Sequence, residues 1–481
     1  MLRLLGSPRR CCDGLTRRET LTAGAIAALG GLSLPQFLAA ESLGQVRPAK
    51  AKNVILLYLL GGAATQDMWD LKPTGPVETR GEFKPILTSA PGVQICEHLP
   101  RTAKWMHKVA VVRSVTHKAG CHNCLPSYTG FDQTMPDQHP RDTDPPSMGS
   151  VCEWLRIKEG RVGADVFPDY VYLPCWLGWG QAFRRAGPYG GFLGKRFDPL
   201  TSECAPFKDP EAPATKPGYP NTVRGVPILP DSVLVPEVTV DRLNNRRSLL
   251  RQFDDGVRGA ESSPTLGAFD RTQQRAFGLL TSAQAREAFD MSTVDARTIE
   301  RYGRTLFGQS TIIARRLIES GVRFVNVTWD LFWDRIQIDY DAWDTHNRNF
   351  PILKDNKLPG FDQTFSALLE DLDARGMLDE TLVVVTSEMG RTPRVNGNGG
   401  RDHWTHCYGT ILAGAGIKGG TIYGASDAQA AYVKDLPVSP ADICCTVYEA
   451  LGIDPDMTVP DKTGRPVPIN QGGRPIATIL V

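Results

Sequence analysis

The chain has 481 residues, 41% hydrophobic and 22% charged, with a net charge of +1. That length suits one large domain with insertions or roughly two to three smaller ones. The near-neutral balance, with no long run of one sign, gives a nucleic-acid partner no electrostatic footing, and beyond the N-terminus no run of about 18 apolar residues exists to span a membrane.

In chain order, the first feature is an address. Thr16, Arg17, Arg18, Glu19, Thr20 and Leu21 precede a mild apolar run from Ala23 to Leu34, and Ala39 and Ala40 supply small residues for cleavage. The order predicts a twin-arginine (Tat) export signal over 1–40, with the Tat machinery as partner and a periplasmic or extracellular destination. Past that segment nine cysteines remain, at 96, 121, 124, 152, 175, 204, 407, 444 and 445. An odd number leaves at least one unpaired within the chain. Cys121-x-x-Cys124 lacks a second such pair, so a structural zinc site is not expected.

Asn53 to Leu60 is an apolar run closed by Gly61 and Gly62, which predicts a buried strand. Val109 to Val112 reads as a second strand. Residues 206–236 are rich in Pro and Gly and predict an insertion around 200–300, with polar helices near 241–253 and 263–289. Leu306, Ile312, Ile313, Leu317 and Ile318 give a helical stripe ended by Gly321. A strand is expected over 322–327. Phe365, Leu368, Leu369 and Leu372 form another helical stripe that ends near Gly376. Thr381 to Thr386 is a central strand, Tyr408 to Ala413 one more, and Ala441 to Leu451 a late helix. The alternation predicts an α/β fold, a single domain over 50–475 with a mainly parallel sheet covered by helices on both faces.

Ligands of such sheets bind beyond the carboxyl ends of the strands, and four polar stretches fall after or near such ends. The first holds Asp67 and Asp70, the second Asp344 and His346, the third Glu388, Arg391 and Arg394, the fourth Arg401 and His403. If they converge, Asp67, Asp344, Glu388 and His403 require a compensating cation, because crowded carboxylates raise one another's pKa. Mixed Asp, Glu and His ligation fits a divalent ion: zinc, manganese, magnesium or calcium. Arg391, Arg394 and Arg401 supply part of the compensation or grip an anionic substrate. Each stretch alone also reads as a turn, a cap or a surface pair.

Together these stretches resemble the DUF1501 family of Tat-exported proteins within the alkaline phosphatase-like superfamily. The resemblance is carried by Arg17 and Arg18, by Gly61 and Gly62 with the stretch from Asp67 to Pro73, by Phe307 to Ser310 with Ala314 to Val322, by Trp343 to His346, by Thr386 to Pro393, and by Gly400 to Trp404. It implies a three-layer α/β/α sandwich and places Asp67 (or Asp70), Asp344, His346, Glu388 and His403 near metal-ligand positions. Met389 stands where that superfamily has a paired histidine, which argues against a full two-zinc site.

Residues 114–130 fall where the superfamily places its nucleophile. Cys124, Leu125, Pro126 and Ser127 are similar to the start of the motif that sulfatases convert to formylglycine, but Tyr128 replaces the required arginine. Cys124, Ser127 and Thr129 are the candidate nucleophiles and His122 a candidate ligand or substrate contact; a proline-containing loop with no chemistry is the remaining alternative. The expectation is an exported, metal-dependent hydrolase of phosphate or sulfate esters acting on an anionic ester or polysaccharide. The alternative is a non-catalytic protein that binds sulfated or phosphorylated polysaccharide, stacking it on Trp329, Trp333 and Trp343.

Overall fold

A computed structural model describes residues 49–120, 122–133, 138–161, 167–178, 183–204, 207–208, 223–229, 283–329 and 342–481. Its centre is an eight-stranded sheet. In chain order the strands are β1 (Asn53–Leu59), β2 (Val109–Val115), β3 (Tyr170–Leu173), β4 (Leu200–Thr201), β5 (Phe324–Trp329), β6 (Thr381–Thr386), β7 (Tyr408–Gly414) and β8 (Thr421–Tyr423). Across the sheet they run β8-β2-β7-β6-β1-β5-β3-β4. All are parallel except β7, which is antiparallel to both β6 and β2.

The apolar strands are continuous because both sheet faces are covered. On β1, Ile55, Leu57 and Leu59 enter one core while Val54, Leu56 and Tyr58 enter the other. The same alternation puts Val383 and Val385 of β6 in the first core and Leu382 and Val384 in the second. The first face is covered by helices that include α3 (Leu306–Glu319) and α4 (Leu358–Ala374). On the second face lie α1 (Leu125–Thr129), α2 (Met148–Lys158) and α5 (Pro440–Ala450). The class is thus three-layer α/β/α with a mainly parallel sheet, as the sequence predicts.

Local signals explain most element ends. Thr305 caps α3 by accepting from the Gly308 amide at 2.9 Å, and Gly321, at φ +94°, turns the chain into β5. Ser439 and Asp442 form a reciprocal capping box at the start of α5, with Pro440 in the first turn. Cys444 is core packing there. The strand expected at 322–327 is displaced: Val322 still belongs to the turn, and β5 runs on to Trp329. The helix expected at 241–253 and most of that at 263–289 lie outside the described residues; the part described is the helix Ala283–Phe289.

Trp343 is fully buried and Trp329 nearly so, their rings packed edge to face at 5.5 Å. They are core residues, so neither offers a stacking surface; Trp333 and the export segment lie outside the described residues. Among the described residues no helix is long and apolar enough to cross a membrane.

Candidate active site

The carboxyl end of β1 determines the site. There the chain must turn sharply, and Gly61 (φ +114°) and Gly62 (φ +86°) do so in conformations that side chains resist. A Cβ on Gly61 would stand 2.6 Å from the Asp344 amide, so the β1 turn and the 343–346 loop touch backbone to backbone. The Trp343 amide donates to Leu60 O at 2.8 Å and fixes that approach. Asp344 is thereby delivered to the rim of the sheet beside β1.

Two further loops arrive from neighbouring strands. Beyond β6, Glu388 is buried, and its Oε1 accepts from the Gly61 amide at 2.8 Å while Oε2 accepts from Ser387 Oγ at 3.1 Å. A short antiparallel ribbon, Gly390–Arg391 against His403–Trp404, follows and pairs Arg391 with His403. From the segment after β2 comes His122, a non-glycine residue at φ +53°.

His122, Asp344 and His403 meet, with one ligand atom from each lying within 4.8 Å of the others. His122 Nε2 is 3.4 Å from Asp344 Oδ2, and His403 Nε2 is 3.2 Å from Oδ1. His346 joins them: its Nε2 is 3.1 Å from Asp344 Oδ1 and 2.9 Å from His403 Nε2. Behind two of these rings stand carboxylates. Glu388 Oε1 is 2.9 Å from His122 Nδ1, and Asp402 Oδ1 is 2.7 Å from His346 Nδ1. Such carboxylate–histidine pairs fix the tautomer and leave Nε2 as the outward-facing donor, the arrangement typical of metal-ligating histidines. Glu388, expected as a ligand, is placed one step back, behind His122.

The charges are mutually dependent. Burial would push the Asp344 carboxyl up, but hydrogen bonds from His122 and His403 and the charge of Arg391 hold it well below the usual carboxylate range. Burial opposes a charge on His122, yet Asp344 and Glu388 overcome it and raise its pKa. His403 moves the other way, lowered by burial and further by the nearby positive charges. The two imidazole nitrogens of His122 and His403 with the Asp344 carboxylate form a donor set that fits a divalent transition metal.

Asp67 and Arg401 are placed elsewhere. Arg401 grips Asp67 in a fork, Nε to Oδ2 at 2.7 Å and Nη2 to Oδ1 at 2.8 Å, and Asn349 adds a third bond at 2.9 Å. Both are buried, and Arg401 also donates to Thr392 O at 3.0 Å. The pair neutralises itself and pins the 392–401 loop to the 65–67 turn, which leaves neither group directed at a ligand. Asp70 is likewise engaged, by Lys72 at 2.9 Å and by Ser426.

The candidate nucleophiles are also accounted for. Cys124 is 1% exposed, its thiol pushed up to about 12 by burial first and by the Glu388 charge second. A thiol so held is no thiolate at neutral pH. Ser127 Oγ donates to Ser387 O at 3.0 Å, and Thr129 Oγ1 donates to Leu125 O at 2.8 Å within α1. Tyr128, in place of the arginine, is a core residue packed on Tyr58 at 4.8 Å between centroids. Met389 too is core, its side chain resting against Gly62.

Sequence reasoning read Asp402 only as half of a surface pair with Arg401 and gave it no part in the site. It also overlooked His117, whose Nε2 lies 2.7 Å from Glu388 O and helps hold that turn; a histidine just past a strand end was the signal.

Residues 51–480 match the family described as "Protein of unknown function (DUF1501)". No curated protein matches the chain. Among solved structures it is similar to Ps i-CgsB in complex with k-i-k-neocarrahexaose, at 10% identity and TM-score 0.37 over 85% of this chain and 72% of that one. It is also similar to the PsFucS1 sulfatase from Pseudoalteromonas sp., at 12% identity and TM-score 0.34 over 86% and 69% of the two chains. A phosphonate monoester hydrolase from Silicibacter pomeroyi gives 13% identity and TM-score 0.35 over 89% and 76%.

Proposed function

The chain belongs to the DUF1501 family, and from that premise we propose that it is an exported, metal-dependent hydrolase of phosphate or sulfate esters. The observation that carries the reading is the meeting of His122, Asp344 and His403 at one rim of the sheet, from three separate loops. A divalent ion held by these three groups would act as a Lewis acid on the ester oxygens.

The chain's own groups supply the rest. Arg391 is wholly buried beside Asp344 and fixes a positive charge at the site before any substrate arrives. His346 is the most exposed of the three imidazoles, its side chain 35% accessible, and it is backed by Asp402. That position suits handing a proton to the departing alcohol. Glu388 keeps His122 turned with Nε2 toward Asp344. Cys124, Ser127 and Thr129 are buried, so a water oxygen would form the new bond to phosphorus or sulfur as the ester oxygen departs as the alcohol.

Purified protein loaded with Zn2+ or Mn2+ should hydrolyse an aryl sulfate or aryl phosphate. Turnover should fall at least about a hundredfold in Asp344→Asn, a variant that removes the charge and keeps the shape. Stoichiometric metal without turnover on either ester class, in wild type and variant alike, would favour the binding protein instead.

A further inference from the structure

One cation already occupies the neighbourhood of Asp344. The Arg391 side chain is 0% exposed, and its guanidinium donates to four oxygens. Nε donates to Gly62 O at 2.7 Å, Nη1 donates to Arg401 O at 3.3 Å, and Nη2 donates to both Gly61 O and Asp344 Oδ1. Three backbone carbonyls and one carboxylate oxygen thus accept from this one guanidinium, oxygens of the kind a hard divalent cation takes, and His346 Nε2 lies 3.5 Å from Nη1. The two glycines make it possible: their positive φ values aim successive carbonyls the same way, and a Cβ on Gly62 would lie 3.2 Å from Arg391 Nε.

A guanidinium there is permanent. It does not lose its proton in a protein, and swinging it out would strand three carbonyls and a carboxylate in the interior. We propose that Arg391 serves as the built-in second cation of this site, so that the chain takes one divalent ion and closes the place where another would sit. Asp344 bridges the two charges, with Oδ1 on Arg391 and Oδ2 toward His122. The ion's own donors are then imidazole nitrogens and a carboxylate, a set that selects Zn2+ or Mn2+ over Ca2+. The carbonyl and carboxylate oxygens that calcium would prefer are the ones Arg391 already engages.

This rests on the metal reading above, and a count of ions separates the two. Native mass spectrometry of the metal-free full chain titrated with Zn2+ should show one ion per chain, and a tenfold excess of Ca2+ should not displace it. No ion at all would defeat the metal reading itself. Two ions, or ready exchange for Ca2+, would overturn the inference and leave that reading standing. Arg391→Gln, checked by circular dichroism, should accept a second ion, while Arg391→Lys, which keeps the charge, should stay at one. A folded Arg391→Gln that still takes only one ion would also overturn it; should that variant not fold, the wild-type count and the Ca2+ competition decide.

Discussion

At the scale of single residues, the site depends on groups that hold other groups. Gly61 is the sharpest case: its φ of +114° and the 2.6 Å that would separate a Cβ there from the Asp344 amide leave no room for alanine. Gly61→Ala should lose about 2 kcal/mol or more of stability in denaturant melts, and a neutral result would mean the turn is not the fulcrum described. Glu388 acts through His122. Glu388→Gln should weaken Zn2+ binding about 10- to 100-fold by calorimetry, whereas an unchanged affinity would assign the carboxylate a purely structural role. Cys124 should remain an unmodified thiol by peptide mass spectrometry and react slowly with maleimide in the native state, since burial holds it protonated. The sequence showed Asp344, Glu388, Arg391 and His403 as candidates because each lies after or near the end of a readable strand. It did not show that Asp67 would be consumed by Arg401, because residue type and spacing carry no information about which of two nearby charges a carboxylate faces.

At the scale of elements, helices α3 and α4 are tied together by a buried carboxylate. Asp371 accepts from Tyr302 Oη and Arg375 Nε, each at 3.0 Å, and stands 3.1 Å from Arg315 Nε. Burial pushes its pKa up, but the Arg375 hydrogen bond and the Arg315 charge more than reverse this, so the folded value lies below the unfolded one. The associated stability is therefore present above the unfolded value, about 3.9, and is lost as pH falls through the folded value. Asp371→Asn should cost about 3 kcal/mol at pH 7, with the difference from wild type shrinking in melts below about pH 4. A difference independent of pH would put the effect in shape rather than charge. Elements with strong period were legible: α3, α4, α5 and β6 fall within a few residues of where their patterns predict. The short β3 was not, because its four residues give too brief an alternation to stand out from loop, and β5 shifted because Gly321 ends a helix without fixing where the next ladder begins.

At the scale of the whole molecule, the architecture explains why residues more than 250 positions apart act together. Parallel strands β1, β5 and β6 all end at one rim, so the turns that follow them are neighbours by construction. The fold class was legible from helix–strand alternation alone, and the rim followed from it. His122, His346 and His403 were all candidates in the sequence; that Glu388 would stand behind His122 was not legible, because His122 arrives from a segment with no periodicity. If the site works as proposed, His122, Asp344 and His403 share one cation. Anomalous diffraction from crystals soaked in Zn2+ or Mn2+ tests it directly. One peak is expected, about 2.0–2.2 Å from the Nε2 atoms of His122 and His403 and from an Asp344 oxygen. A peak elsewhere, or none in crystals where the three side chains keep the geometry described, would contradict it.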